Sequence, residues 1–322
     1  MNSTASLLLC YDGSDDAKVA VQRAGALFGH RDAIVLSVWQ RTHATSTFVM
    51  PGFTYTADVS AVDETVENVA AALAAEGADL ANDAGLNARP MHACASGPVV
   101  ETILNVAGEY RVAAIVAGSR GRGGFKSALL GSVSNHLVHH TTRPTFVARH
   151  AAPDTPADAP IALCYDGSDD AKLAIDRAGA LFAARRVVVL TAWQPVHAIP
   201  AYGWGATAYV PDFEQVDQAA EHAARETADE GCARVRAAGL AADASVVQAT
   251  SAVWPALVEA AEERDVAAII VGSRGLGGVK SLLLGSVSGG VLHHTTRPVL
   301  VAPHGSSAHP SAPQASETTA AS

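Results

Sequence analysis

Two glycine-rich stretches hold the residues of this chain whose types and spacing suit the binding of an anion. The first contains 118–121 (GSRG) and 131–134 (GSVS), and the second contains 272–275 (GSRG) and 285–288 (GSVS). Both follow the spacing G-x2-G-x9-G-S. Glycines let an anion approach backbone N–H groups closely, and serine hydroxyls can donate hydrogen bonds to it. The pattern therefore indicates a loop that could cradle a phosphate.

The elements on either side of these stretches strengthen that interpretation. An apolar run at 112–117 predicts a buried strand before the first stretch, and 132–140 predicts a helix after it. A helix N-terminus leaves several N–H groups unpaired and carries a partial positive charge, so it attracts phosphate. The spacing is not that of a Walker loop, because G-x4-G-K-S/T is absent. Nor does it open after the first strand, as a dinucleotide fingerprint does.

The glycine stretches belong to a longer repeat that covers most of the chain. Residues 9–18 and 163–172 both read LCYDGSDDAK, and the loops recur at the same offset, 272 − 118 = 154. A constant offset predicts a duplicated domain. We expect copy one at 1–150, a linker rich in Pro, Ala and Asp at 151–160, copy two at 161–304, and a disordered tail at 305–322.

Within copy one, strands alternate with helices. Strands are predicted at 6–11, 33–39, 88–95, 112–117 and 145–148, and helices at 15–28, 61–84, 98–110 and 132–140, with a long connection at 40–58. This order predicts an α/β fold of two tandem, doubly wound domains, each with a five-stranded parallel sheet. Ligands of such sheets bind beyond the carboxyl ends of the strands, where the strand order reverses. Asp12 and the first glycine loop both follow strands, so both can face one site.

Composition limits the possible partners and locations. The 322 residues include 22 basic and 32 acidic side chains, a formal charge of −10. This argues against a broad nucleic-acid-binding face but leaves room for a small anionic ligand. No signal peptide and no run of membrane-spanning length is visible, so we expect a soluble, cytoplasmic protein. Cys10, Cys94, Cys164 and Cys232 form no CxxC pair and are predicted to be buried, unreactive thiols.

From residue 6 to residue 303 the chain resembles the universal stress protein family in its tandem-domain form. The resemblance rests on the Asp that ends strand 1, on the G-x2-G-x9-G-S spacing, and on the Arg-Pro pair before the last strand. It implies a Rossmann-like fold of the adenine nucleotide alpha hydrolase type. Because many members with this spacing bind ATP, it also implies ATP, with Mg²⁺, as the ligand.

The resemblance assigns roles to individual positions. Asp12 and Asp166 would contact the adenosine portion, and the backbone near Val38 and Ala192 would border the adenine. The ribose and phosphates would be held by the glycines and serines of the two loops: Gly118, Gly121, Gly131, Ser132 and Ser134 in copy one, and Gly272, Gly275, Gly285, Ser286 and Ser288 in copy two. Copy two departs from copy one where Ala192 replaces Val38. The likeness further implies that the halves pack through their last strands and that chains pair as homodimers.

Each of these residues also has a purely structural interpretation. The glycines and serines could be turn residues and helix N-caps, and Asp12 and Asp166 could form turns beside glycine. The basic residues of the loops, Arg120, Arg122, Lys126, Arg274 and Lys280, could reach phosphates or form a solvated face. His139-His140 and His293-His294 are better explained as helix C-terminal residues than as a metal site. Aromatic residues in the second connection of each copy could form a lid, a subunit contact or ordinary packing.

The functional interpretation favours a nucleotide-binding regulator over a dedicated enzyme. No Ser-His-Asp or Cys-His signature, paired carboxylates or general base can be named in the sequence, so we expect at most slow ATP hydrolysis. The competing hypothesis is an adenylyl-transferring or ATP-pyrophosphatase-like enzyme. A nucleotide-free scaffold and a protein that binds cyclic AMP are further alternatives.

Overall fold

The computed structural model describes residues 5–41, 47–50, 53–56, 60–121, 130–182, 185–195, 213–275 and 284–304. Copy one forms β1 (Leu7–Cys10), α1 (Asp15–Phe28), β2 (Asp32–Gln40), β3 (Thr47–Met50), β4 (Phe53–Thr56), α2 (Ser60–Asp83), β5 (Asn87–Ala95), α3 (Val99–Glu109), β6 (Ala114–Gly118), α4 (Ser132–His140) and β7 (Thr145–Ala148). Copy two forms β8 (Ile161–Cys164), α5 (Asp169–Leu181), β9 (Arg186–Trp193), α6 (Phe213–Ala237), β10 (Ala241–Gln248), α7 (Val253–Glu263), β11 (Ala268–Gly272), α8 (Ser286–His294) and β12 (Val299–Ala302).

The boundaries of the helices follow from local sequence chemistry. The Ser14 side chain caps α1 by accepting a hydrogen bond of 3.3 Å from the N–H of Ala17. Acidic residues fill the first turn of this helix, where they stabilise its dipole. Gly85, with φ of 93°, follows the end of α2 and suits a helix stop, because glycine adopts this left-handed conformation readily.

Ten strands form one sheet in the order β10-β9-β8-β11-β12-β7-β6-β1-β2-β5. Each copy contributes five parallel strands, which confirms the predicted fold class. The copies meet where β7 and β12 pair antiparallel, with Val147 opposite Val299. This confirms that the halves pack through their last strands. A continuous core crosses the junction, where the rings of Phe28, Phe146 and Phe182 pack together.

The structure corrects three local predictions. The connection at 40–58 contains β3 and β4, which pair as a separate two-stranded antiparallel sheet. Pro98 is the N-cap of α3 instead of its first residue. Of the four thiols predicted to be buried, Cys232 is buried, Cys10 and Cys164 are partly buried, and Cys94 is exposed because it lies on edge strand β5. The predicted disordered tail at 305–322 and most of the second connection of copy two, 196–212, lie outside the described residues.

Candidate functional site

The strand order places the predicted site residues of copy one at one edge of the sheet. β1 lies between β2 and β6, so the strand order reverses there, and Asp12 follows β1 while Gly118 ends β6. A cavity of about 580 Å³ opens at this point. All seven residues that the sequence assigned to the copy-one site line it: Asp12, Val38, Gly118, Gly121, Gly131, Ser132 and Ser134. Its size lies within the roughly 300–1,000 Å³ of small-molecule pockets.

Asp12 forms the turn that links β1 to α1. Its Oδ1 accepts hydrogen bonds from the N–H of Ser14 at 3.0 Å and from the hydroxyl of Ser14 at 2.6 Å. Gly13 between them has φ of 79°, which only glycine adopts without strain. Asp166 accepts a matching hydrogen bond of 3.0 Å from the N–H of Ser168. Asp12 therefore forms a turn and also lines the cavity.

Gly121 brings the glycine loop against the other oxygen of Asp12. A Cβ atom at Gly121 would lie 2.6 Å from Oδ2 of Asp12, and one at Gly275 would lie 2.7 Å from Oδ2 of Asp166. Any larger residue at these positions must push the carboxylate away. The loop glycine and the aspartate are thus fitted to each other in both copies.

Gly118 is constrained by helix packing. A Cβ atom there would lie 2.7 Å from the backbone N of Ala17, and one at Gly272 would lie 2.9 Å from the backbone carbon of Asp170. These glycines allow the N-terminus of α1 to approach the end of β6, and that of α5 to approach the end of β11. Two glycines of one motif therefore have different physical roles.

No side chain among the described residues caps the helix after each loop. Gly131 is the N-cap of α4 and Gly285 that of α8, and neither makes a side-chain hydrogen bond at its cap. Ser132 and Ser286 are the first helical residues and are exposed, so the interpretation of these serines as N-caps is wrong. A helix start that no side chain caps, at the wall of a cavity, can donate its N–H groups to an anion.

Ser134 and Ser288 hold the loop to the helix. Ser134 is buried, and its hydroxyl donates to the carbonyl of Ser119 at 2.8 Å. Ser288 is also buried and donates to the carbonyl of Gly272 at 2.7 Å. A hydroxyl has one proton to donate, so these serines shape the loop in this structure.

Asp16 belongs to the site although the sequence did not indicate it. Its buried carboxylate accepts hydrogen bonds from the hydroxyl of Ser119 at 2.5 Å and from the N–H of Arg120 at 3.0 Å, both through Oδ2. Oδ1 accepts from the N–H of His150 at 3.0 Å. The carboxylate therefore ties α1 to the glycine loop and to the chain after β7.

Copy two contains the same anchor, and its histidine partner, His304, is the counterpart of His150 but contacts the aspartate through its imidazole instead of its backbone N–H. Asp170 is buried and accepts from the hydroxyl of Ser273 at 2.8 Å, and its Oδ1 contacts the imidazole of His304. The signal available in sequence was the second Asp of the repeated DGSDD, which occurs in both copies. An acidic residue in the first turn of a helix is already explained by the helix dipole. The sequence therefore did not indicate that Asp16 and Asp170 bind distant segments of the chain.

The remaining wall of the copy-one cavity is largely apolar. Leu36 and Val38 project from β2, and Ile103 from α3. Ala192, the counterpart of Val38, is partly buried on β9. Such a surface suits the flat face of a base.

The thiols of Cys10 and Cys164 lie near Asp12 and Asp166, and their pKa values are raised. Burial, followed by the nearby Asp12 carboxylate, raises the pKa of Cys10 to about 12, and burial with Asp166 does the same for Cys164. A raised pKa disfavours the thiolate, which is the reactive form of a cysteine, so it agrees with the prediction that these thiols are unreactive.

The basic residues of the loops are only partly described. Arg120 lines the cavity, and its Nε lies 3.5 Å from Oδ2 of Asp16. Arg122, Lys126 and Lys280, which the sequence also proposed, lie outside the described residues.

The histidine pairs occupy the last turns of α4 and α8, as the sequence predicted. Within the part of the chain that the structure describes, no three His, Cys, Asp or Glu side chains are grouped to hold a metal ion. Across those same residues, every helix is too short or too polar to span a bilayer.

The chain is similar in sequence and in fold to known proteins. The model of the universal stress protein family matches residues 5–149 and again 159–303. Universal stress protein Rv2005c of Mycobacterium tuberculosis is 33% identical over 211 residues, which are 63% of this chain and 65% of that protein. A second protein of that organism, universal stress protein Rv1996, is 31% identical over 64% of this chain and 63% of its own length. A universal stress protein structure from Archaeoglobus fulgidus is 20% identical, with a TM-score of 0.56, and covers 95% of this chain and 100% of that chain.

Proposed function

The chain belongs to the universal stress protein family, and we propose that each of its copies binds an adenine nucleotide, namely ATP, as part of a regulatory role in the stress response. The observation that carries this proposal is the uncapped start of α4, which shares one cavity with Asp12 and the glycine loop. The proposal includes the division into domains at 1–150 and 161–304, and a cytoplasmic homodimer of such chains.

Each part of the cavity suits one part of the nucleotide. The apolar wall around Val38 accepts the adenine, and Asp12 accepts hydrogen bonds from the ribose or base. The N–H groups at the start of α4 and the glycine loop receive the phosphates. Mg²⁺ would be held mainly by phosphate oxygens and water, as it commonly is in nucleotide sites.

The chemistry of the cavity favours binding over catalysis. Of its ionisable residues, the Cys10 thiol is kept neutral by burial, and the Tyr11 hydroxyl donates to Glu76 at 2.8 Å. Asp12 is engaged in its turn with Ser14. None of these is placed as a free general base, so hydrolysis would be slow.

The proposal is tested by calorimetric titration of ATP into the chain and its single-site variants. Gly121→Val should remove one binding site because the new side chain displaces the Asp12 carboxylate, and Gly275→Val should remove the other. The control is Gly108→Ala in α3, where an added Cβ meets no atom within 4 Å. Unchanged ATP affinity in the double variant, with its fold intact by circular dichroism, would refute the assignment.

Three companion measurements separate the alternatives. Competition of cyclic AMP against ATP decides which nucleotide the site prefers. Rapid, substrate-dependent release of pyrophosphate in multiple turnover would instead favour the enzyme hypothesis. Light scattering of the purified chain decides between monomer and homodimer.

A further inference from the structure

The residue that ends each glycine loop, directly before α4 or α8, lies against the junction between the copies. Leu130 and Leu284 are equivalent residues, 284 − 130 = 154, and each directly precedes the N-cap of its helix. Both pack against one cluster that contains Val138 and Val147 of copy one together with Val291 of copy two. Each anion-binding helix start is therefore adjacent to the other copy.

One hydrogen bond crosses this junction into the copy-two loop. The N–H of Leu284 donates to Nδ1 of His139, in the last turn of α4, at 3.4 Å. The neighbouring Gly285 is fixed from its own side, because its N–H donates to the carbonyl of Ser273 at 2.8 Å. At the start of α8, copy one therefore holds Leu284, and copy two holds the next residue, Gly285.

The reverse contact is missing within the described residues. His293 is the counterpart of His139, 293 − 139 = 154, and its Nδ1 is buried without a hydrogen-bond partner among them. Burial lowers the pKa of His293, and the nearby Arg149, His294 and His139 lower it further. The two loops are therefore supported differently despite the repeat.

A second contact runs in the same direction. The guanidinium of Arg149 donates to the carbonyls of Leu292 at 2.9 Å and His293 at 3.0 Å, near the end of α8. The copy-two counterpart of Arg149 is Pro303, 303 − 149 = 154, which has no charged side chain and no N–H donor. Copy one therefore contacts α8 near both of its ends.

We infer that copy one completes the site of copy two, with His139 as a positioning residue for the copy-two glycine loop. The expected effect on the affinity of the copy-two site for ATP rests on the proposed function, whereas the contact itself does not. The support runs one way, from copy one to copy two, so the twin sites differ in what they depend on.

The contact itself is tested in the nucleotide-free chain by amide hydrogen exchange. His139→Ala should speed exchange in the peptide that contains Leu284, whereas His293→Ala should leave the peptide that contains Leu130 unchanged. His139→Asn should restore protection, because its amide oxygen lies close to where Nδ1 accepts. Equal effects of the two alanine variants on their respective loops would overturn the inference, as would failure of His139→Asn to restore protection.

The consequence is tested by ATP titration in single-site backgrounds. With copy one silenced by Gly121→Val, His139→Ala should raise the Kd of the copy-two site about three- to tenfold. His139→Asn should restore most of the lost affinity. With copy two silenced by Gly275→Val, His293→Ala should leave the Kd of the copy-one site unchanged. An unchanged copy-two Kd overturns the inference. If the unmodified chain binds no ATP, the proposed function fails, and hydrogen exchange alone decides the role of His139.

Discussion

At the scale of single residues, the site depends on a carboxylate that lies behind the loop. An ionised carboxylate is costly to bury unless it is hydrogen-bonded. Asp16 meets this condition with donors from Ser119, Arg120 and His150, which belong to two different segments. The carboxylate therefore fixes the shape of the glycine loop.

Asp16→Asn should weaken both the fold and the copy-one site. The new NH₂ group must face donors that the carboxylate accepted, because every partner of Asp16 is a donor. We expect a loss of about 1–3 kcal/mol in the free energy of unfolding, measured in urea, and weaker ATP binding by titration.

The neighbouring acid supplies the control for this substitution. Asp15 is exposed, and Asp15→Asn removes the same charge from the same end of α1 as Asp16→Asn does. Asp15→Asn should alter stability by less than Asp16→Asn and leave ATP affinity unchanged. Equal losses in the two variants would show that Asp16 acts only through the helix dipole.

At the scale of elements, α2 crosses close to the end of β1. A Cβ atom at Gly77 would lie 2.7 Å from Cγ of Tyr11 and 2.8 Å from Cγ1 of Val35. The equivalent Gly231 meets Tyr165 at 2.8 Å in copy two. Tyr11 also lines the cavity, so the approach of this helix sets one wall of the site.

Gly77→Ala should therefore destabilise the protein by about 1–3 kcal/mol, because the added methyl forces α2 away from the sheet. Gly108→Ala should instead raise the free energy of unfolding by up to about 1 kcal/mol, because alanine favours a helix over glycine. Chemical denaturation of both variants measures the difference. A stabilising effect of Gly77→Ala would contradict the packing described here.

The elements show what a sequence can and cannot predict. The parallel sheet followed from apolar runs that recur at a constant offset, and the caps at Ser14 and Gly85 followed from local chemistry. The hairpin of β3 and β4 was missed although the Pro-Gly pair at 51–52 is a turn signal, because the strands on either side are only four residues each. The role of Asp16 depends on partners 103 and 134 residues away, which no local pattern shows.

At the scale of the whole molecule, the duplication produces two sites that are alike in their loops and unlike in their support. The two halves share one sheet and one core through the pairing of β7 with β12. Each copy has an aspartate turn, a fitted glycine and an uncapped helix start. Copy two differs in that His304 contacts the anchor through its imidazole, where the equivalent His150 uses its backbone N–H, and in the contacts it receives from His139 and Arg149.

The central claim is that both helix starts receive the phosphates of an adenine nucleotide. A crystal structure of the chain grown with Mg²⁺ and a non-hydrolysable ATP analogue tests this most directly. The account predicts one nucleotide in each copy, with phosphate oxygens within hydrogen-bond distance of the N–H groups that follow Gly131 and Gly285. Nucleotide density elsewhere, or helix starts that stay free of phosphate at saturating analogue, would contradict it.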